Sequence, residues 1–99
     1  MKGENIVLLD LQEITSIADY FVICNGTSER QIKAIIDRIR DTIKQDSQIT
    51  PFHTEGEAHG GWVLIDYSGV VVHVFSPEQR EYYDLEEFWQ EAKTVVRML

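Results

Sequence analysis

A chain of 99 residues with 43% hydrophobic content and a formal net charge of −8 has room for one domain, residues 1–99, with a modest core. No apolar run approaches the roughly 20 residues of a membrane-crossing helix, and no secretory leader pattern is expected in the opening "MKGENIVLLDL". The 17 acidic against 9 basic residues argue against phosphate-backbone binding as the main task and predict little direct nucleic-acid binding. They suit a basic protein partner instead, because opposite potentials steer encounter.

The first predicted element is a buried strand in "NIVLLDL", Asn5 to Leu11. A second strand, Asp19 to Gly26, is rich in aromatic and β-branched residues and ends at Asn25-Gly26. It contains the lone cysteine, Cys24, for which a buried thiol and a cytoplasmic setting are expected. A helix follows, opened by Ser28 and Gln31 in capping-box spacing. Ile32, Ile35, Ile36, Ile39 and Ile43 recur on one of its faces. A short strand is expected near Ile49 to His53, then a loop punctuated by glycines.

The clearest signal is a hairpin, "WVLIDY" and "VVVHVF" joined by Ser68-Gly69. A two-residue turn sets Tyr67 opposite Val70, Ile65 opposite Val72 and Val63 opposite Val74, all on one apolar face. The other face pairs Asp66 with Val71, Leu64 with His73 and Trp62 with Phe75. Such a mixture suits a protein-binding surface; a covering C-terminal helix is the alternative. Ser76, Pro77 and Gln79 predict a helix start, and Asp84-Leu85-Glu86-Glu87 a second one. The helix opened there is expected to bury Leu85, Phe88, Trp89, Ala92, Val96 and Leu99. Arg80, Glu81, Tyr82 and Tyr83 between the two starts are expected at the rim of a binding surface or packed on the sheet. The pattern predicts an α/β fold, a mixed sheet flanked by helices.

Enzymatic chemistry finds few supports. "CNGTSER" is a strand, a Gly turn and a capped helix start that could cradle a phosphate. The following strands offer only Asp66, without the second carboxylate that a Mg²⁺ site needs. His53, Glu55, Glu57 and His59 lack the common zinc spacings. His73 has no Ser, Cys or Lys nucleophile motif beside it. No catalytic residue, metal or cofactor is therefore expected.

The segments "NIVLLDL", "ADYFVICNGTSERQ" and "EGEAHGGWVLIDYSGVVVHVFSPEQREYYDLEEFW" closely resemble the ribosomal silencing factor family, also called Iojap-related proteins. The resemblance spans about Ile6 to Trp89. It implies a nucleotidyltransferase-like fold without the active site, and a non-enzymatic role. Members of the family bind the large ribosomal subunit through its protein number fourteen, which is basic and lies at the subunit interface. They block joining of the small subunit and so repress translation when nutrients are short; free, they form homodimers. The family's tryptophan at the start of the hairpin matches Trp62, and its acidic residue before the turn matches Asp66. The expected docking patch is Trp62, Leu64, Asp66, Val71, His73 and Phe75. If His73 lies in that interface, affinity is expected to vary between about pH 6 and 8. The family's usual helix before the first strand has no counterpart in this sequence. The rival reading is a nucleotide- or RNA-metabolising enzyme that uses Asp66 and the turn from Gly26 to Ser28.

Overall fold

The computed structural model describes residues 4–98. In chain order its elements are β1 (Glu4–Asp10), β2 (Tyr20–Asn25), α1 (Glu29–Ser47), β3 (His53–Glu57), β4 (Trp62–Asp66), β5 (Val70–Phe75), α2 (Pro77–Tyr83), α3 (Leu85–Phe88) and β6 (Lys93–Met98). A single 3-10 turn, Ala58–Gly60, joins β3 to β4. The strands form one mixed sheet in the order β3-β4-β5-β2-β1-β6. β2 and β5 run parallel; the other neighbours are antiparallel.

The β4–β5 hairpin has the register that its two-residue turn dictates, from Trp62 opposite Phe75 to Asp66 opposite Val71. The Tyr67 N–H donates to the Val70 carbonyl at 2.8 Å. Ser68 takes φ 77°, a left-handed conformation typical of tight hairpin turns. Its N–H donates to Oδ1 of Asp66 at 2.7 Å, which steadies it there. Tight backbone contact also explains Gly61, at φ 80°: a side chain there would run into the hydroxyl of Ser76.

Each face of the sheet carries its own core. On one, Val63, Ile65, Val72 and Val74 pack with Ile32, Ile35 and Ile36 of α1. Burying each such side chain contributes about 1.5–3 kcal/mol. Ile39 and Ile43, farther along the predicted stripe, are only half-buried. The Ser28 hydroxyl caps α1 by accepting the Gln31 N–H at 3.0 Å. The Gln31 side chain reaches back one residue beyond the usual capping box, accepting the Thr27 N–H at 2.5 Å. On the other face Val7, Leu9, Leu11, Phe21, Ile23, Val71 and Phe75 form a second core. Leu85, Trp89 and Ala92, from the segment after α2, close over part of it.

Three expectations change. The short strand is His53–Glu57 rather than Ile49 to His53, and Ile49 and Phe52 are exposed. The expected C-terminal helix stops after Phe88, and Lys93–Met98 is a strand paired with β1. Thr94, Val95 and Val96 are β-branched, which disfavours helix, and β1 offers them an open ladder. Phe88 and Val96 are therefore exposed instead of buried; Leu99 lies outside the described residues. Asp84 is not a side-chain cap for α3. It sits at φ 46° as the C-cap of α2, its N–H bonded to the Arg80 carbonyl, and that backbone cannot aim a carboxylate at the next turn.

Arg80 is the side chain that ties α2 to the sheet. Its Nη1 donates to the Asn5 carbonyl and to Oδ1 of Asn25, both at 2.6 Å. Nε and Nη2 donate to the two carboxylate oxygens of Glu86 at 2.9 and 3.2 Å. This fork fits a guanidinium and no other side chain. The Arg80 side chain is only 12% exposed, and Asn25 is buried. Arg80→Ala would leave Asn25 without its donor, and is expected to lower unfolding free energy by about 2–3 kcal/mol. Urea denaturation checks this; a loss below about 0.5 kcal/mol, the range of ordinary surface changes, would remove Arg80 from this role.

Candidate docking surface

Trp62 opens β4 next to the Gly61 turn and lies on the sheet face opposite α1. Its indole N–H donates to Nδ1 of His73 at 3.2 Å. The indole stacks on Phe75 with ring centroids 5.0 Å apart at 28°. Tyr83 of α2 leans on it at 4.4 Å. One ring is thus held by a hydrogen bond and two aromatic contacts, yet remains partly exposed. Leu64 and Asp66 follow on the same face, also half-buried. Glu55 of β3 stands opposite Leu64, and lines a shallow pocket of about 240 Å³ with Gly56, Trp62 and Leu64.

The six expected docking residues therefore divide. Trp62, Leu64 and Asp66 reach the surface. Val71, His73 and Phe75 are 7%, 3% and 0% exposed, so no partner can touch them directly. The reason is what lies over their strand: β5 stands one place further in than β4, under the covering segment. The segment after α2 packs over it, and Trp89 meets Phe21 edge-on at 6.0 Å. Asp66 already holds the Ser68 N–H, which gives its carboxylate a structural task. Of the two places expected for Arg80 and Tyr83, Arg80 bonds into the sheet and Tyr83 packs on Trp62. The mix of charge and aromatic groups in "REYY" was their only signal.

Burial lowers the His73 pKa to about 4. Accepting the Trp62 N–H at Nδ1 leaves the ring proton of the neutral form on Nε2, which has no hydrogen-bond partner. Phe21 packs against the same ring with centroids at 4.5 Å. His73 therefore stays neutral between pH 6 and 8, and the expected pH-dependent interface histidine is overturned. The Cys24 thiol is likewise pushed up to about 11 by burial, which keeps it protonated and unreactive at neutral pH.

The turn that could have held a phosphate is occupied by its own side chains. Gln31 takes the Thr27 N–H, and Ser28 takes the Gln31 N–H. His53 pairs with Glu55 at 3.0 Å and His59 with Glu57 at 3.1 Å. Among the described residues no three His, Cys, Asp or Glu side chains converge as metal ligands.

The His73 shift has a measurable consequence. The unfolded chain takes up a proton there near pH 6.5, whereas the folded ring resists until about pH 4. Stability from this residue is complete above pH 6.5 and falls as the pH drops toward 4, by about 3 kcal/mol in all. His73→Gln, which keeps an acceptor for Trp62 but cannot titrate, is expected to flatten that part of the pH–stability curve. Equal slopes for variant and parent in chemical denaturation at pH 4 to 6.5 would contradict it.

Comparison with known proteins places this geometry in a family. The family model described as "Ribosomal silencing factor during starvation" matches residues 1–98. A protein of Halalkalibacterium halodurans named ribosomal silencing factor is 44% identical, over 95% of this chain and 80% of its own length. The chloroplastic protein Iojap of Zea mays is 34% identical over 96% of this chain and 41% of its own length. A crystal structure from Chromobacterium violaceum superposes with a TM-score of 0.83 at 35% identity, covering 96% of this chain and 80% of that one. With Trp62 and Asp66 standing in the hairpin that carries the resemblance, the chain belongs to the ribosomal silencing factor family.

Proposed function

We propose that this protein represses translation as a steric block. It docks on the large ribosomal subunit through protein number fourteen and so prevents the small subunit from joining. The observation that carries the reading is the indole of Trp62, fixed by His73, Phe75 and Tyr83 yet partly open to solvent beside Leu64. A rigid, partly exposed aromatic group is what protein interfaces use as an anchor, because little conformational freedom is lost on binding. His73 and Phe75 support the anchor from beneath and Val71 lies buried opposite Asp66, while Trp62, Leu64 and Asp66 meet the partner. The net charge of −8 favours encounter with a basic partner. The action needs no bond to be made or broken, so no catalytic residue is assigned. The described residues include no helix long and apolar enough to cross a membrane.

Co-sedimentation with isolated large subunits tests the proposal. Trp62→Ala is expected to cost about 2 kcal/mol or more of binding, roughly thirtyfold in affinity. Because Trp62 also packs on Phe75 and Tyr83, the variant is compared after circular dichroism shows it folded. Leu64→Glu serves as a second probe on the same strip. Undiminished binding by both folded variants would sink the assignment, as would unchanged subunit joining in the presence of the parent protein.

A further inference from the structure

The docking surface reaches beyond the sheet. Four aromatic rings form a ladder from the core to solvent. Phe75 at 0% exposure stacks on Trp62 at 5.0 Å, Trp62 meets Tyr83 at 4.4 Å, and Tyr83 meets Tyr82 edge-on at 5.0 Å and 89°. Tyr83 is 46% exposed and Tyr82 78%. Both lie on α2, which begins at Ser76 and is pinned to the sheet by the Arg80 fork. The two tyrosines thus stand on a fixed support instead of a loose loop. Packing does not account for Tyr82, whose ring meets Tyr83 edge-on and is otherwise largely open to solvent.

We infer that Tyr82 and Tyr83 form a second anchor continuous with Trp62, so that α2 and β4 together grip a single basic protein surface. Three observations favour that occupant over others. The ladder is contiguous with the strip proposed above. Exposed rings on a helix that also carries the exposed carboxylates Glu78 and Glu81 suit Lys and Arg side chains, whose cations lie favourably over aromatic faces. The same carboxylates repel the phosphates of a nucleic acid. Tyrosine is moreover a frequent interface anchor, bringing an apolar face and a hydroxyl with few rotatable bonds. The inference rests on the proposed docking function and adds to it the α2 face of the contact.

Tyr82→Ala removes an exposed ring and is expected to leave the fold intact. Its affinity for large subunits is expected to fall about tenfold, the scale of an interface residue worth more than 1 kcal/mol. Tyr83→Ala is expected to lose more, because it also frees Trp62. Phe52→Ala is the control: Phe52 is 83% exposed and lies outside the ladder, so its removal is expected to change nothing. Glu81→Lys is expected to weaken binding and to reduce its salt dependence. If Tyr82→Ala and Glu81→Lys bind like the parent while Trp62→Ala does not, the α2 anchor is overturned and the docking proposal stands. If Trp62→Ala also binds like the parent, the docking proposal falls with it. If Phe52→Ala loses as much as Tyr82→Ala, the effect is not specific to the ladder and the inference is overturned.

Discussion

A turn of two residues, Ser68-Gly69, decides which side chains of β4 and β5 point to which face of the sheet. A slip of one residue would exchange the faces entirely. With the observed register, Val63, Ile65, Val72 and Val74 meet α1, and Trp62, Leu64 and Asp66 meet the other side. Both cores and the candidate surface follow from that single constraint. Asp66 reinforces it by holding the turn amide, so the acidic residue before the turn guards the register as well as flanking the surface.

The second constraint is the attachment of α2. Seven residues cannot hold a helix by their own hydrogen bonds. Ser76 and Pro77 start it, and the guanidinium of Arg80 holds it against Asn5, Asn25 and Glu86. That brings Tyr83 over Trp62. The fork also joins two neighbouring inner strands: Asn5 stands near the start of β1 and Asn25 at the end of β2. A charged side chain at this depth is tolerated because Nε, Nη1 and Nη2 each donate to an acceptor at bonding distance, four hydrogen bonds in all.

The aromatic layer around Trp62 joins stability to surface. His73 is buried as a neutral acceptor, and its environment of Phe21, Trp62 and Phe75 makes charge there costly. The ring therefore works as a fixed brace. A histidine in a binding strand reads as a pH sensor only when solvent or a carboxylate can stabilise its charged form.

Local chemistry in the sequence determined the hairpin and its register, the Ser28 and Ser76 caps, the isoleucine stripe of α1 and the buried Cys24. Each depends on residues within a few positions of one another, so turn geometry, capping and periodicity suffice to read them. The family resemblance was legible for the same reason: its longest segment, Glu55 through Trp89, is one contiguous block. Tertiary structure alone decided the rest. Val95 and Val96 became strand because β1, some 85 residues earlier, offers a free ladder. Arg80 acquired its partners from β1 and β2 only once the sheet had closed. Half of the expected docking patch turned out to be buried because β5 lies further into the sheet than β4, where the segment after α2 folds over it. Alternation along a strand says which residues share a face; what covers that face depends on contacts that span the chain.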